Sequence, residues 1–495
     1  MPAAGNNLYV VRMAFMATVR CHLKSNKVRV KKLFPLLSGL ALAACAAGPD
    51  YRAPVPVALG VPAAWSDGSA APEGDAALAE WWRVYNDPVL DGFVARAVEN
   101  NLDIAQAVSR LRQARESLRQ SRADFLPSVN ASGSGGRNFR EGSADSSSYS
   151  LGADAAWEID LFGGTRRAVE ASRADLFAAG YSLANVRAAI VAETVSNYVT
   201  ARLAQERLRI SRDTLKTVED NYDIARWRVE AGLVSSLDAE QARAQLAQNR
   251  ASIPSIEQSL AGALNRIAVL TGDAPGDATR ALEAPAPIPD APDAITVGIP
   301  ADTLRQRPDV RQAERALAAA TARIGVAESA LYPSLRISGN VGTSALSLGS
   351  LGDIITGGLF ASIGQLIFDG GATASRVRAQ EAAAEGAFAA YKASVLGALE
   401  DVENALVALR AARERQVQYT EAYDAANTSA ILARSQYQAG LTDFQTLLSA
   451  EQSLLSARQG LADADADEVL AAAELYSALG GGWQTMNPID GWQPE

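Results

Sequence analysis

Between Gly164 and Gly232 nothing in the sequence stops a helix: the 68-residue run holds no proline and ends only at Ala231-Gly232-Leu233. At about 1.5 Å per residue it would reach roughly 100 Å, far beyond a globular helix. The chain repeats the feat from Ala372 to Ala439, closing on Ala439-Gly440-Leu441. Two such rods cannot sit in a sphere and must pack side by side. Leu176, Leu183 and Ile190 recur every seven residues, as do Leu208, Leu215, Tyr222 and Val229. The step of 18 between the sets is two heptads plus four, a coiled-coil stutter. Past each Ala-Gly-Leu the pattern predicts a returning helix, Ser235–Leu270 and Asp443–Leu479, with a kink at Pro254. Small residues, as across Ala316–Ala322 and Ala382–Ala384, suit close helix packing. By periodicity alone, a plain coiled-coil rod would serve as well.

The two rods belong to an internal repeat. At a constant offset of 206, Asp103 meets Asp309, Gln106 meets Gln312, Leu111 meets Leu317, Pro127-Ser128 meets Pro333-Ser334, and Phe162 meets Phe368. The turns pair at an offset of 208. Six of the 20 prolines fall between residues 273 and 300, whereas 128–253 and 334–487 contain none. The expected organisation is a leader 1–44, an N-terminal extension 45–80, a first repeat 81–272, a Pro-rich linker 273–300, a second repeat 301–482 and a tail 483–495.

Each repeat also holds strands, expected at about 128–160 and 334–368. Tyr149, Leu151, Ala153, Ala155, Trp157 and Ile159 alternate with Ser148, Ser150, Gly152, Asp154, Ala156 and Glu158. Leu335, Ile337, Val341 and Ala345 alternate with Arg336, Ser338, Asn340 and Ser344. Ser128–Gly136 and Leu359–Phe368 are the weaker partners. Apolar residues on one face and polar on the other suit a membrane β-barrel, although a globular sheet shows the same alternation. Four strands cannot close a bilayer barrel, and open edges cannot be left in lipid. Several chains must therefore contribute, and three copies give an even, antiparallel set of twelve.

Composition narrows the function. The chain has one His and two Cys (His22, Cys21, Cys45), all within the first 45 residues, so a mature chain keeps only the terminal Cys45. A mature chain would then lack His/Cys metal sites, Ser-His-Asp and Cys-His catalytic systems and disulfides. No enzyme activity, metal or cofactor is expected. Residues 1–44 hold seven basic residues and no acid, leaving 39 basic against 56 acidic residues and a net charge near −17. Nucleic acid is an unsuitable partner at that balance. Basic residues followed by the apolar run Leu33–Ala44 form a secretory signal, with Met16 an alternative start. The run ends Leu42-Ala43-Ala44-Cys45, similar to a bacterial lipobox, which makes Cys45 the expected lipidated mature N-terminus. Ala46 rather than Asp follows, and by resemblance to bacterial lipoproteins that favours sorting to the outer membrane. Several acyl chains such as palmitate would hold it there.

The sequence resembles the outer-membrane factor family of tripartite efflux systems, the TolC/OprM-like channels, and particularly its lipoprotein branch. Trp81-Trp82, Asn86-Asp87-Pro88 and Asn100-Asn101-Leu102-Asp103 are similar to its first helical hairpin. Ile299-Pro300, Arg307-Pro308-Asp309-Val310, Ala313-Glu314-Arg315, Ala322–Ala327 and Tyr332-Pro333-Ser334 are the closest match. Trp157–Gly163 and Ala478–Trp483 also fit. The resemblance covers about residues 45–485. It implies a homotrimer with a twelve-stranded outer-membrane barrel and a long periplasmic α-helical barrel, docked to a periplasmic adaptor (membrane fusion protein) and an inner-membrane pump. A type I protein-secretion conduit would share this fold. A non-conducting periplasmic scaffold is the alternative of another class.

Each Ala-Gly-Leu lies between a rod and its return, so it must mark the end far from the strands. The resemblance adds that this tip, with Gly232, Leu233, Val234, Gly440, Leu441 and Thr442, meets the adaptor. It also implies a tunnel constriction at Gln445, Ser449 and Gln452. Here the chain departs from its family: aligned through Thr446-Leu447-Leu448, the axis-facing Asp is Ser449. Glu451, about 200° round the helix from Ser449, points away. Asp443, Asp238 and Glu240 are the other carboxylates near enough to be weighed as replacements.

Overall fold

The computed structural model of the 495-residue chain describes residues 46–66, 78–139, 141–142, 145–276, 280, 282, 284–295, 297–298 and 300–485. The expected leader and Cys45 lie outside these.

After a shorter opening helix, each repeat runs through a 22-residue helix, rises into two strands, and descends through a 67-residue helix that turns back into one of 35. In the first repeat these are α1 (Pro88–Asn100), α2 (Leu102–Ala123), β1 (Ser128–Asn138), β2 (Ser146–Ile159), α3 (Gly164–Glu230) and α4 (Ser236–Leu270). In the second they are α5 (Pro300–Gln306), α6 (Pro308–Ser329), β3 (Ser334–Ala345), β4 (Ile355–Gly364), α7 (Ala372–Gln438) and α8 (Phe444–Ala478). Helix starts follow local chemistry. Asp87 accepts from the amides of Val89 and Leu90, with Pro88 at the first helical position. Asn101 does the same for Asp103 and Ile104. Asp369, just before α7, accepts from the amides of Gly371 and Thr373 and from the Thr373 hydroxyl, and these bonds hold its carboxyl below the usual range.

The helices form a wall. On the side near the strands, α2 packs on α3, and α6 packs on both α3 and α7; on the far side, α4 packs on α3, and α8 packs on both α3 and α7. The two shorter columns join end to end. Asn101 donates from its side-chain amide to the Leu270 carbonyl at 3.0 Å, where α4 meets α2. Arg307 donates to the Ala478 carbonyl at 2.9 Å, where α8 meets α6. The described part of the linker crosses this wall without helix or strand across residues 284–295. Gln205 takes its Leu282 carbonyl, Arg202 that of Ala284 and Arg413 that of Pro292, while Ile288, Ala291 and Ile295 pack on the core beneath.

Two sequence expectations need correction. Leu176, Leu183, Ile190 and Leu208 are buried, but nearer the tip the buried seam of α3 runs through Ser211, Val218 and Ala225, while Leu215, Tyr222 and Val229 are half-buried. Both sets keep the heptad step. The seam that wins is the one facing the second hairpin, where Ala225 meets Ala433, Tyr437, Phe444 and Leu447. The last strand runs Ile355–Gly364 rather than Leu359–Phe368, because Gly364 already pairs with Ser334, the first residue of β3. Leu366, Ile367 and Phe368 run on beyond the sheet, exposed. Pro254 sits inside the continuous α4.

Candidate functional site

The four strands form one antiparallel sheet in the order β1-β2-β3-β4, so β1 and β4 are open edges. Register sorts the residues by face. Leu151 lies opposite Thr343, Ala153 opposite Val341 and Trp157 opposite Ile337; Ile355, Leu359 and Ile363 extend that face onto β4. Val129, Leu151, Val341, Leu359 and Ile363 are all more than half exposed. The opposite face carries Ser132, Ser134, Ser150, Asp154, Ser338 and Asn340, with Asn130 donating to Asp154 and Ser134 bonded to Ser150. A sheet with an apolar exposed face, a polar second face and two open edges is a segment of a barrel wall.

Where the sheet joins the helices, aromatic residues gather. The Trp157 indole donates to the Phe125 carbonyl at 2.9 Å, and Phe162 stacks on Tyr332 with centroids 4.8 Å apart. Amphipathic rings of this kind sit at a membrane–water boundary. The N-terminal segment of the described chain docks at this level. Ala47 donates its amide to the Phe162 carbonyl, and the buried Arg167 donates to the carbonyls of Ala47 and Gly48 and to Asp50. Gly48 (φ +85°) and Gly325 approach so closely that a Cβ on either would meet backbone within 2.6 Å. From there the segment follows the wall through Tyr51, which donates to Glu314, and Trp65, which donates to the Gly298 carbonyl.

At the other end both long helices close in the same turn. Gly232 (φ +69°) donates to the Val229 carbonyl and Leu233 to Arg228; Gly440 (φ +72°) donates to Tyr437 and Leu441 to Gln436. This is the Schellman arrangement, which needs a left-handed residue that glycine supplies without a Cβ clash. Ser235 and Asp443 then cap the returning helices, and the bonds from Thr446 hold the Asp443 carboxyl below its usual range. Leu233 and Leu441 are 71% and 78% exposed, two unpartnered apolar side chains at the turns, with Val234 and Thr442 half-buried beside them.

Just above the tip the structure separates the three residues expected at a constriction. Gln445 and Ser449 line an open groove between α7 and α8 with Ser429, Leu432 and Gln436. Gln452, a turn farther along α8, faces the first hairpin and donates to Gln245 of α4 at 2.8 Å. Glu451 is buried and accepts from Arg434 of α7, so its carboxylate is turned away from Ser449. Glu240 pairs with Arg243, and Asp238 lies half-buried in the first turn of α4. The hairpins meet through the Arg228 guanidinium, 4.7 Å from the Tyr437 ring centroid, and higher up through Arg207 and Asp463 at 2.7 Å.

Sequence reasoning missed Arg228, Tyr437, Gln245 and the paired caps Asn101 and Arg307. The last two had a signal, since the offset of 206 aligns them at equivalent helix starts. Among the described residues no group of His, Cys, Asp and Glu is placed to hold a metal, and no helix is long and apolar enough to cross a membrane.

A family model of outer membrane efflux proteins matches residues 94–273 and 299–481, one block per repeat. The chain is 31% identical over 457 residues to nodulation protein T of Rhizobium leguminosarum bv. trifolii, covering 91% of this chain and 96% of that protein. It is 31% identical over 468 residues to the antibiotic efflux pump outer membrane protein ArpC of Pseudomonas putida, covering 90% and 94%. The solved outer-membrane channel OprN superposes with a TM-score of 0.80 at 35% identity, covering 89% of this chain and all of that one. With both repeats matched by the family and the whole described fold shared with a channel, the chain belongs to the outer membrane efflux protein family.

Proposed function

We propose that three copies of the chain assemble into the outer-membrane duct of a tripartite, RND-type efflux system and pass small toxic molecules outward without chemistry of their own. The observation that carries this is the four-stranded sheet with an apolar outer face and two open edges, fused to helices of 67 residues. The open edges β1 and β4 can be satisfied in lipid only by closing against neighbouring copies. The helical wall then extends the barrel's lumen toward the inner membrane, and the turns at Gly232 and Gly440 form the tip that meets a periplasmic adaptor and its pump. Small-molecule efflux is favoured over protein secretion by ArpC, a relative named for an antibiotic efflux pump.

Cys45 carries the lipid in this reading. Support comes from the docked N-terminal segment: Ala46 lies against Gly163, at the level of the Phe162–Tyr332 stack, where an acylated neighbour could reach the bilayer. Intact-mass analysis should find acyl mass at residue 45, and an unmodified N-terminus on membrane-extracted protein would refute it.

The duct itself is tested in planar bilayers and in cells. Purified protein should run as a trimer and conduct ions, and its deletion should sensitise cells to small hydrophobic toxicants. Absence of conductance would favour a scaffold. Conductance with intact drug resistance but a lost secreted protein would favour a secretion conduit.

A further inference from the structure

The inner face of the sheet is polar or small at every position except one. Along β1, β2 and β3 it carries only Ser, Asn, Gly, Ala, Asp, Glu and Arg, and on β4 Thr356, Gly358, Ser362 and Gly364 continue the pattern. Phe360, paired across from Ser338, breaks it and is 59% exposed. A Cβ built on Gly358 would come within 2.7 Å of the Phe360 Cζ, so the ring folds back along the strand and rests on the Gly358 backbone. One ring face is seated on the wall and the other is open to the lumen.

Membrane insertion does not account for this side chain, because it lies on the face turned away from lipid. Packing within the chain accounts for one face only: the Gly358 backbone backs the ring, and its cross-strand neighbour is a serine. Nor can the strand that would close against β4 cover it: the inner face of β1 holds Ser128, Asn130, Ser132, Ser134, Gly136 and Asn138. A ring left open in a water-filled lumen presents a π surface, which attracts flat aromatic molecules and cations. The same face bears Asp154, and Glu158 paired with Arg336, an excess of one negative charge per chain that favours cations over anions in the lumen.

We propose that Phe360 is a stacking site for aromatic, preferentially cationic, solutes on their way through the barrel, present three times around the lumen. It rests on the duct reading above and assigns that duct a substrate class. The test is single-channel recording with tetraphenylphosphonium, an aromatic cation, and tetraethylammonium, an aliphatic one, each added on the extracellular side. Tetraphenylphosphonium should interrupt the current of the wild-type channel. Its dwell time should fall about two- to five-fold in Phe360→Ser, the scale of an exposed cation–π contact, and be kept in Phe360→Trp. Gly358→Ala, which unseats the ring, should also shorten it. Tetraethylammonium, which the ring can attract as a cation but not stack on, should lose a smaller fraction of its dwell time in Phe360→Ser and Gly358→Ala. Unchanged tetraphenylphosphonium dwell in Phe360→Ser overturns the proposal, as does an equal loss for tetraethylammonium, which would mean altered pore geometry. A wild-type protein passing no current would overturn the duct reading first.

Discussion

Asn101 and Arg307 occupy equivalent positions in the two repeats, and each ties the end of a returning helix to the start of another. Asn101 bonds the Leu270 carbonyl at 3.0 Å and Arg307 the Ala478 carbonyl at 2.9 Å. Through these joints α4 continues into α2 and α8 into α6, so that short helices act as full-length columns beside α3 and α7. Without such a partner, the last carbonyls of each helix would be left unsatisfied in a buried junction.

Arg307 also holds Asp309 at 2.7 Å and Asp401 at 2.8 Å. Arg307→Ala should therefore cost about 2–4 kcal/mol, because it removes a buried guanidinium that pairs two more exposed carboxylates and caps the Ala478 carbonyl. Asn101→Ala should cost about 1–2 kcal/mol. Thermal unfolding of the detergent-solubilised protein measures both, and a larger loss for Asn101→Ala would contradict the ranking.

Leu233 and Leu441 are expected to carry contact with the adaptor. Replacing both with Asp should reduce adaptor capture by crosslinkers at Val234 or Thr442 by about tenfold, the equivalent of 1.4 kcal/mol, and leave the trimer intact on a gel. Capture that survives the double change would place the docking surface elsewhere.

Ser449 should leave the constriction short of charge. Asp443 is occupied as a helix cap, Glu451 by Arg434 and Glu240 by Arg243. Hexaamminecobalt(III) added on the periplasmic side should block the wild-type channel weakly and Ser449→Asp strongly, through a restored ring of three carboxylates. Tight block of the wild type that Ser449→Ala leaves unaltered would show an acidic ring built from other residues.

Asp465 gives a pH dependence. Burial pushes its carboxyl above the ordinary value, and Glu468, Asp290 and Glu206 add to the rise, against the hydrogen bond from Gln416. The folded chain thus holds this proton more tightly than the unfolded one, so stability is lost as pH climbs from the ordinary carboxylate range through the raised value. Asp465→Asn should melt higher than wild type at neutral pH, by no more than about 1 kcal/mol for a half-exposed site. The difference should close below about pH 3, under the unperturbed Asp value of about 3.9, where the carboxyl is protonated in both the folded and the unfolded chain. A gap that widens on acidification would reverse the sign.

The sequence by itself determined the large architecture, because that rests on local, repeated physics. A 67-residue helix follows from the lack of any breaker, its end from the glycine that alone takes the left-handed turn, and the sheet faces from strict alternation along β2 and β3. The open edges followed from counting four strands. Tertiary structure decided what depends on which rods lie side by side. Periodicity marks an apolar stripe but not its neighbour, so only packing could set the seam at Ser211, Val218 and Ala225 and turn Gln452 toward Gln245. It also set the end of β4, which stops where β3 runs out of partners rather than where β4 runs out of apolar residues. Phe360 belongs to the same class: in sequence it is one aromatic in an apolar run, and only the register places it on the polar face.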